Sequence, residues 1–204
     1  MAAAGRIGYP VALKAASPDI AHKTETGLVK LNLRTGAEFA AAWRELEGTL
    51  ALHHAGARRE GMLVQGMVRS AGGKSGDVVE TIVGVNRDGG FGSAVMVGLG
   101  GVFVELLRDV SLELAPLSPA RAKAMINRLQ AAKLLQGFRG KQPADIAALE
   151  ETLVRLGRMA HALGERLVSL DLNPLMVLPE GQGVRIVDIV MQARPSGDSP
   201  KHLP

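Results

Sequence analysis

The sequence predicts an α+β fold, and three observations carry that prediction. Strand-like and helix-like segments follow one another irregularly rather than in strict alternation, which disfavours a doubly wound parallel sheet. The chain has 204 residues, 47% of them hydrophobic, so it can bury a core as one domain or as two small lobes. Its 25 glycines are about 12% of the chain against a typical ~7%. They concentrate near 72–76 and 84–101, where the backbone must turn tightly or approach something closely.

Pro10 to Ala15 is a short apolar run carrying one lysine and ending at a Ser17-Pro18-Asp19 turn, which reads as a buried strand. After a loop from Ile20 to Thr26, the segment Gly27 to Leu33 returns as an antiparallel partner. Thr35 and Glu38 have capping-box spacing, and Phe39, Trp43, Leu46 and Leu50 recur at helical intervals, predicting a helix over 36–51. Met62 to Gln65, Val78 to Asn86, Val95 to Val97, Val102 to Leu106 and Leu112 to Leu114 read as further strands. Ser118-Pro119 starts a helix with Ala122, Met125, Ile126 and Leu129 on its apolar face. Pro143 opens what the pattern makes the longest helix, to about Leu163. Leu167 to Val177 and Val184 to Val190 close the fold as a strand pair, and the tail 195–204 is expected to be disordered.

Composition excludes several classes. With no cysteine, disulfide scaffolds, thiol nucleophiles and cysteine-ligated metals are ruled out. The first residues have no apolar signal core, and the most apolar stretch, Phe91 to Leu107, is glycine-laden and carries Glu105. No membrane partner and a cytoplasmic location are therefore expected. The formal charge is +4, the basic residues are scattered, and one Trp, one Tyr and four Phe offer little surface for base stacking. Nucleic acid is not an expected partner; phosphate-bearing small molecules suit the charge better.

Three clusters carry possible chemistry. Gly73-Lys74-Ser75 resembles the end of a phosphate loop, but Val68 stands where the first glycine belongs and a strand follows where a helix is needed. A solvated loop is the better reading. Lys14 lies on an otherwise apolar strand, with His22 and Lys23 in the next loop and Gly27 beside them, an arrangement suited to an oxyanion; a snorkelling lysine at a strand end is the alternative. Asp171 and Asn173 alternate onto one strand face, with Asp188 in the following strand, a set of hard oxygen donors suited to magnesium. An Asx turn at Asn173-Pro174 explains part of that cluster equally well.

Taken together, Gly8 to Lys14, Ser17 to Lys23, Ile82 to Asp88, Gly98 to Val102, Leu134 to Gly140 and Asp171 to Leu175 closely resemble the ATP-grasp part of NDP-forming (ADP-forming) acyl-CoA synthetases, the acetate–CoA ligase type related to the beta subunit of succinyl-CoA synthetase. The likeness spans residues 8–190. It implies an ATP-grasp fold, two α+β lobes clamping a nucleotide, with a small lobe at 8–67 lacking its N-terminal part and a large lobe at 68–194. It implies ATP or ADP with Mg2+ as cofactors, and phosphoryl transfer between nucleotide and a histidine on a CoA-binding/phosphohistidine partner domain or alpha-type subunit, within a homo- or hetero-oligomer. A non-catalytic ATP-grasp-like binding or regulatory module is the alternative.

Carried over by position, Lys14 would contact nucleotide phosphates, with Gly27 in the covering loop and His22 and Lys23 near the transferring phosphoryl. Val64, Gln65, Met67 and Val68 would form the hinge against adenine. Glu80 would lie beside ribose or phosphates, and Gly100 and Gly101 would face the transfer centre with Glu105 just after. Asn173 and Asp188 would hold magnesium. Two residues depart from the family pattern: Gly66 stands where the hinge commonly has glutamate, and Leu28 follows Gly27 where a second glycine is usual.

Overall fold

The computed structural model describes residues 2–20, 26–71, 77–101, 108–138 and 140–194. The chain divides into two compact units, Met1–Val68 and Arg69–Pro204.

In the first unit, helix α1 (Ala2–Ile7) precedes strand β1 (Val11–Ala16), β2 (Val29–Leu33), helix α2 (Gly36–His53) and β3 (Gly61–Gly66). The strands form an antiparallel sheet in the order β2-β1-β3. The capping residues act as their spacing predicts. Thr35 Oγ1 accepts from the Glu38 N–H, and the Glu38 carboxylate accepts in return from the Arg34 N–H, one residue before the cap. Phe39, Ala42, Leu46 and Leu50 of α2 bury one helical stripe against Val11, Leu13 and Ala15 of β1 and Leu33 of β2. Ala4 of α1 belongs to the same core, so residues ahead of Gly8 are an ordered part of this unit.

The second unit is built on a larger sheet. Its strands are β4 (Val79–Asp88), β5 (Gly92–Leu99), β6 (Val110–Leu114), β7 (Leu167–Val177), β8 (Val184–Ile186) and β9 (Ile189–Ala193). The order is β6-β5-β4-β7, with β8 and β9 both pairing β7, and every described pairing is antiparallel. Helices α3 (Pro119–Asn127) and α4 (Ile146–Leu163) cover one face. Met125 and Ile126 of α3 and Leu149 and Leu153 of α4 pack on Val83, Val85, Val95, Val97, Leu170 and Leu172. Consequently Glu80, Ile82 and Gly84 of β4, Met96 and Gly98 of β5 and Asp171 of β7 lie on the face away from the helices.

Three expectations are corrected. The last long helix starts at Ile146 rather than Pro143, because Asp145 is its N-cap: Oδ1 accepts from the Ala148 N–H at 3.0 Å. It has 18 residues, as does α2, so it is not uniquely the longest. The final strand is two strands, β8 and β9, parted at Val187-Asp188. Pro174, which has no N–H to give to a ladder, lies opposite that gap. The expected strand at 102–106 and the tail 195–204 lie outside the described residues.

On the edge strand β6, Glu113 holds Arg121 at 2.5 Å and Arg128 at 3.2 Å, both from α3 and its end. The Arg121 hydrogen bond, more than any other contact, keeps the Glu113 carboxyl below the usual glutamate range.

Candidate functional site

Each unit supplies one group of the expected residues. In the first, β1 and β3 pair without a slip over six positions, from Val11 opposite Gly66 to Ala16 opposite Gly61. Opposed residues of an antiparallel pair share a face. Val11, Leu13 and Ala15 turn into the core, so Lys14 and Ala12 share the other face with Leu63 and Gln65. Lys14 is only 5% exposed, a costly position for an ammonium that demands oxygen partners. Gln65 Oε1 is buried and has no hydrogen-bond partner. An acceptor left in that state costs about 1–3 kcal/mol, which a donor from a bound molecule would recover. A nucleotide, with amine and hydroxyl donors as well as anionic oxygens, fits both features.

The neighbouring expected positions serve the unit's own structure. Val64 is half-buried against the core and opposes Leu13, and the Met67 N–H is engaged by the Pro10 carbonyl at 3.2 Å. Val68 is the last residue of the unit. Gly27 has φ +71°, the left-handed region that glycine tolerates. The two departures from the family pattern have structural explanations: Leu28 is fully buried in the small core, and a Cβ on Gly66 would come within 3.3 Å of Ile7 Cγ2 on α1.

In the second unit, Gly100 donates its N–H to the Glu80 carbonyl at 2.8 Å. A Cβ at Gly100 would stand 3.1–3.2 Å from Glu80 main-chain and Cβ atoms, and Gly101 has φ +68°. Glycine is therefore favoured twice at this turn, which lies beside Glu80.

Asn173 and Asp188 are also brought together. The Asn173 N–H donates to the Asp188 carbonyl at 3.3 Å, and Val187 N–H to the Pro174 carbonyl at 3.1 Å. Asp188 Oδ1 accepts from the Ile189 N–H at 3.1 Å. The Asn173 amide oxygen and the Asp188 carboxylate, on residues whose main chains are paired, are hard donors suited to Mg2+. Among the described residues no three His, Cys, Asp or Glu side chains converge as a metal site. Two protein oxygens leave positions for phosphate oxygens and water, which is how Mg2+ is usually held with a nucleotide, so the residues fit this ion.

His22, Lys23 and Glu105 lie outside the described residues, as does the Gly73-Lys74-Ser75 loop. Sequence reasoning passed over Thr81. It is fully buried, and its Oγ1 donates to the Leu175 carbonyl at 2.8 Å; a threonine within Val-Glu-Thr-Ile-Val looks like any other strand residue. No described helix is long and apolar enough to cross a membrane.

Comparison with known proteins gives a consistent picture. A family model described as ATP-grasp domain matches residues 1–192, further towards the N-terminus than the motifs alone indicate. The 4-hydroxybutyrate–CoA ligase [ADP-forming] of Nitrosopumilus maritimus is 41% identical over 187 residues, covering 92% of this chain and 26% of that protein. The subunit beta of acetate–CoA ligase [ADP-forming] II from Pyrococcus furiosus is 36% identical over 185 residues, covering 91% of this chain and 75% of the subunit. The chain thus spans about a quarter of the longer relative and three-quarters of the shorter one. Among solved structures, the dinucleotide forming acetyl-coenzyme A synthetase 1 of Ca. Korarchaeum cryptofilum, in complex with coenzyme A and Ca-AMPCP, matches with TM-score 0.83 at 42% identity, covering 95% of this chain and 80% of that one. A second complex of that enzyme, with coenzyme A and Mg-AMPPCP and a phosphohistidine segment pointing towards the nucleotide binding site, matches with TM-score 0.73 at 40% identity, over the same shares of the two chains.

Proposed function

This chain belongs to the ATP-grasp domain family, and from that membership we propose that it is the nucleotide-binding component of an ADP-forming acyl-CoA synthetase. In this reading it moves a phosphoryl group between nucleotide and a histidine on a CoA-binding partner domain or subunit. The overall reaction is acyl-CoA + ADP + phosphate to acid + CoA + ATP. The observation that carries the proposal is the pairing of Asn173 with Asp188 in a chain that covers most of a beta subunit of such an enzyme.

The residues divide the work. Lys14, held on the inner strand of its sheet, pairs with phosphate oxygens, and Gln65 Oε1 accepts a donor from the nucleotide. Asn173 and Asp188 hold Mg2+, which when bound neutralises phosphate charge. Glu80 and the Gly100-Gly101 turn border the phosphates, and Gly101 lets the main chain come close to them. In the direction that consumes ATP, a nitrogen of the partner's histidine forms the new bond to the γ-phosphorus as the bond to the β-γ bridging oxygen breaks and ADP leaves. Such transfer needs alignment and charge stabilisation more than covalent help from the nucleotide-binding protein. CoA and the acid are handled by the partner.

Incubation with γ-labelled ATP, Mg2+ and a separately supplied phosphohistidine domain tests this. The expected result is acid-labile label on the partner's histidine and Mg2+-dependent heat on titrating ADP into this chain. No label and no Mg2+-dependent heat with ADP or ATP would overturn it; Mg2+-dependent binding without transfer would instead favour a non-catalytic module.

A further inference from the structure

The Asn173-Asp188 pair is built on an irregularity in the sheet, and that irregularity has a support of its own. Along β4 and β7 the register runs Val79 to Val177, Glu80 to Met176 and Thr81 to Leu175, then jumps to Val83 opposite Leu172. Ile82 alone therefore spans two residues of β7, Asn173 and Pro174: a β-bulge. Its effect shows in the packing, since Leu170 and Leu172 face the core before it and Leu175 and Val177 after it, with alternation broken by one residue between. The bulge keeps both halves of β7 in the core and sets the main chain of Asn173 and Pro174 against the segment between β8 and β9, where Asp188 stands.

On that far side the bulge is stitched by Asn173 N–H to Asp188 O and Val187 N–H to Pro174 O. On the β4 side, at its first regular pair, the fully buried Thr81 donates its hydroxyl to the Leu175 carbonyl at 2.8 Å. Valine matches threonine in shape but has no hydroxyl, so it would fill the same space and take this donor from the Leu175 carbonyl. The hydroxyl thus contributes direction rather than volume: it fixes the carbonyl that leads out of the bulge.

We infer that Thr81 is a positioning residue for the Mg2+ site, its hydroxyl holding the Asn173-Pro174 bulge and with it the main-chain pairing that keeps Asn173 beside Asp188. The inference rests on the reading of Asn173 and Asp188 as magnesium ligands. Groups that orient metal ligands from behind typically affect affinity by about 10–100-fold.

The experiment titrates ADP by calorimetry into the native chain, Thr81→Val, Thr81→Ser and Asp188→Ala, each with Mg2+ and with EDTA, and follows thermal unfolding of each. Thr81→Val is expected to weaken the Mg2+-dependent part of ADP binding about tenfold or more while leaving ADP affinity in EDTA unchanged. Thr81→Ser, which keeps the hydroxyl, is expected to restore most of it, and Asp188→Ala to abolish the Mg2+ dependence. Native Mg2+ dependence in Thr81→Val, beside its loss in Asp188→Ala, overturns the Thr81 role and leaves the ligand assignment standing. Native dependence in Asp188→Ala overturns both. A drop in affinity of equal size with and without Mg2+ in Thr81→Val also overturns the role, because it marks a merely structural effect. Should Thr81→Val fail to fold, Thr81→Ala read in the same titrations against Thr81→Ser decides the question.

Discussion

The two units present their candidate residues by opposite means. In the first, Lys14 and Gln65 lie on an unbroken ladder, six consecutive β1-β3 pairs in register, and reach their face simply because side chains alternate. In the second, the main chains of Asn173 and Asp188 pair where β7 is bulged and its partner edge is split into β8 and β9. A regular ladder places a side chain through many equivalent hydrogen bonds, so no single neighbour decides its position. A bulge concentrates that placement in a few contacts. The first group should therefore respond to loss of its own side chains, and the second also to changes behind it.

Replacing the lysine gives the largest effect expected in this comparison. Lys14→Met keeps a long apolar stem in the buried position and removes the charge. ADP binding should weaken by about 1.5–3 kcal/mol, the worth of charged hydrogen bonds, with Mg2+ and with EDTA alike, as measured by calorimetry. A loss confined to Mg2+ conditions would break the distinction between the two groups, because it would make Lys14 act through the metal.

The turn beside Glu80 comes next. Gly100→Ala drives a Cβ to 3.1–3.2 Å from Glu80 and should disturb the 2.8 Å hydrogen bond to its carbonyl. A destabilisation of about 1–3 kcal/mol, typical of overpacking, should appear as a lower melting temperature. An unchanged melting temperature would show that the second unit yields more easily than its close contacts indicate.

The smallest effect concerns Glu113, on the edge strand remote in the sheet from the bulge. The Arg121 hydrogen bond lowers its pKa in the folded state, so its contribution is present above the ordinary unfolded glutamate value and is lost as pH falls through the lower folded value. Its arginine partners are half exposed, which screens the pair to about 0.2–1 kcal/mol. Glu113→Gln should melt slightly lower than the native chain at pH 7, the gap closing as the pH falls from the ordinary glutamate value through the lower folded one. A constant gap across that range would mean that the carboxylate charge is not the stabilising element.

Much of this was legible in sequence because it follows from local rules. The Thr35 cap and the stripes of α2, α3 and α4 express local capping and a period of 3.6 in residue type, β1 reads as a short apolar run with a single lysine, and Asn173 and Asp188 stand out as oxygen-bearing residues in the closing strand segments. Even the bulge left a trace: Leu170, Leu172, Leu175 and Val177 change parity across Asn173-Pro174. What could not be read was the partner of that irregularity. Thr81 is 94 residues from Leu175, and nothing in its immediate sequence distinguishes it from other β-formers. Likewise Gly66 and Leu28 read as departures from a nucleotide-binding pattern, yet Leu28 fills the core and Gly66 leaves room for Ile7. Residue type and spacing by themselves determined the elements, the α+β class and the chemistry of the donors, since these depend on neighbours along the chain. Which carbonyl a hydroxyl holds, which glycine makes room for a side chain and how Asn173 comes to pair with Asp188 were decided by tertiary pairing, because those contacts join segments that only the folded sheets bring together.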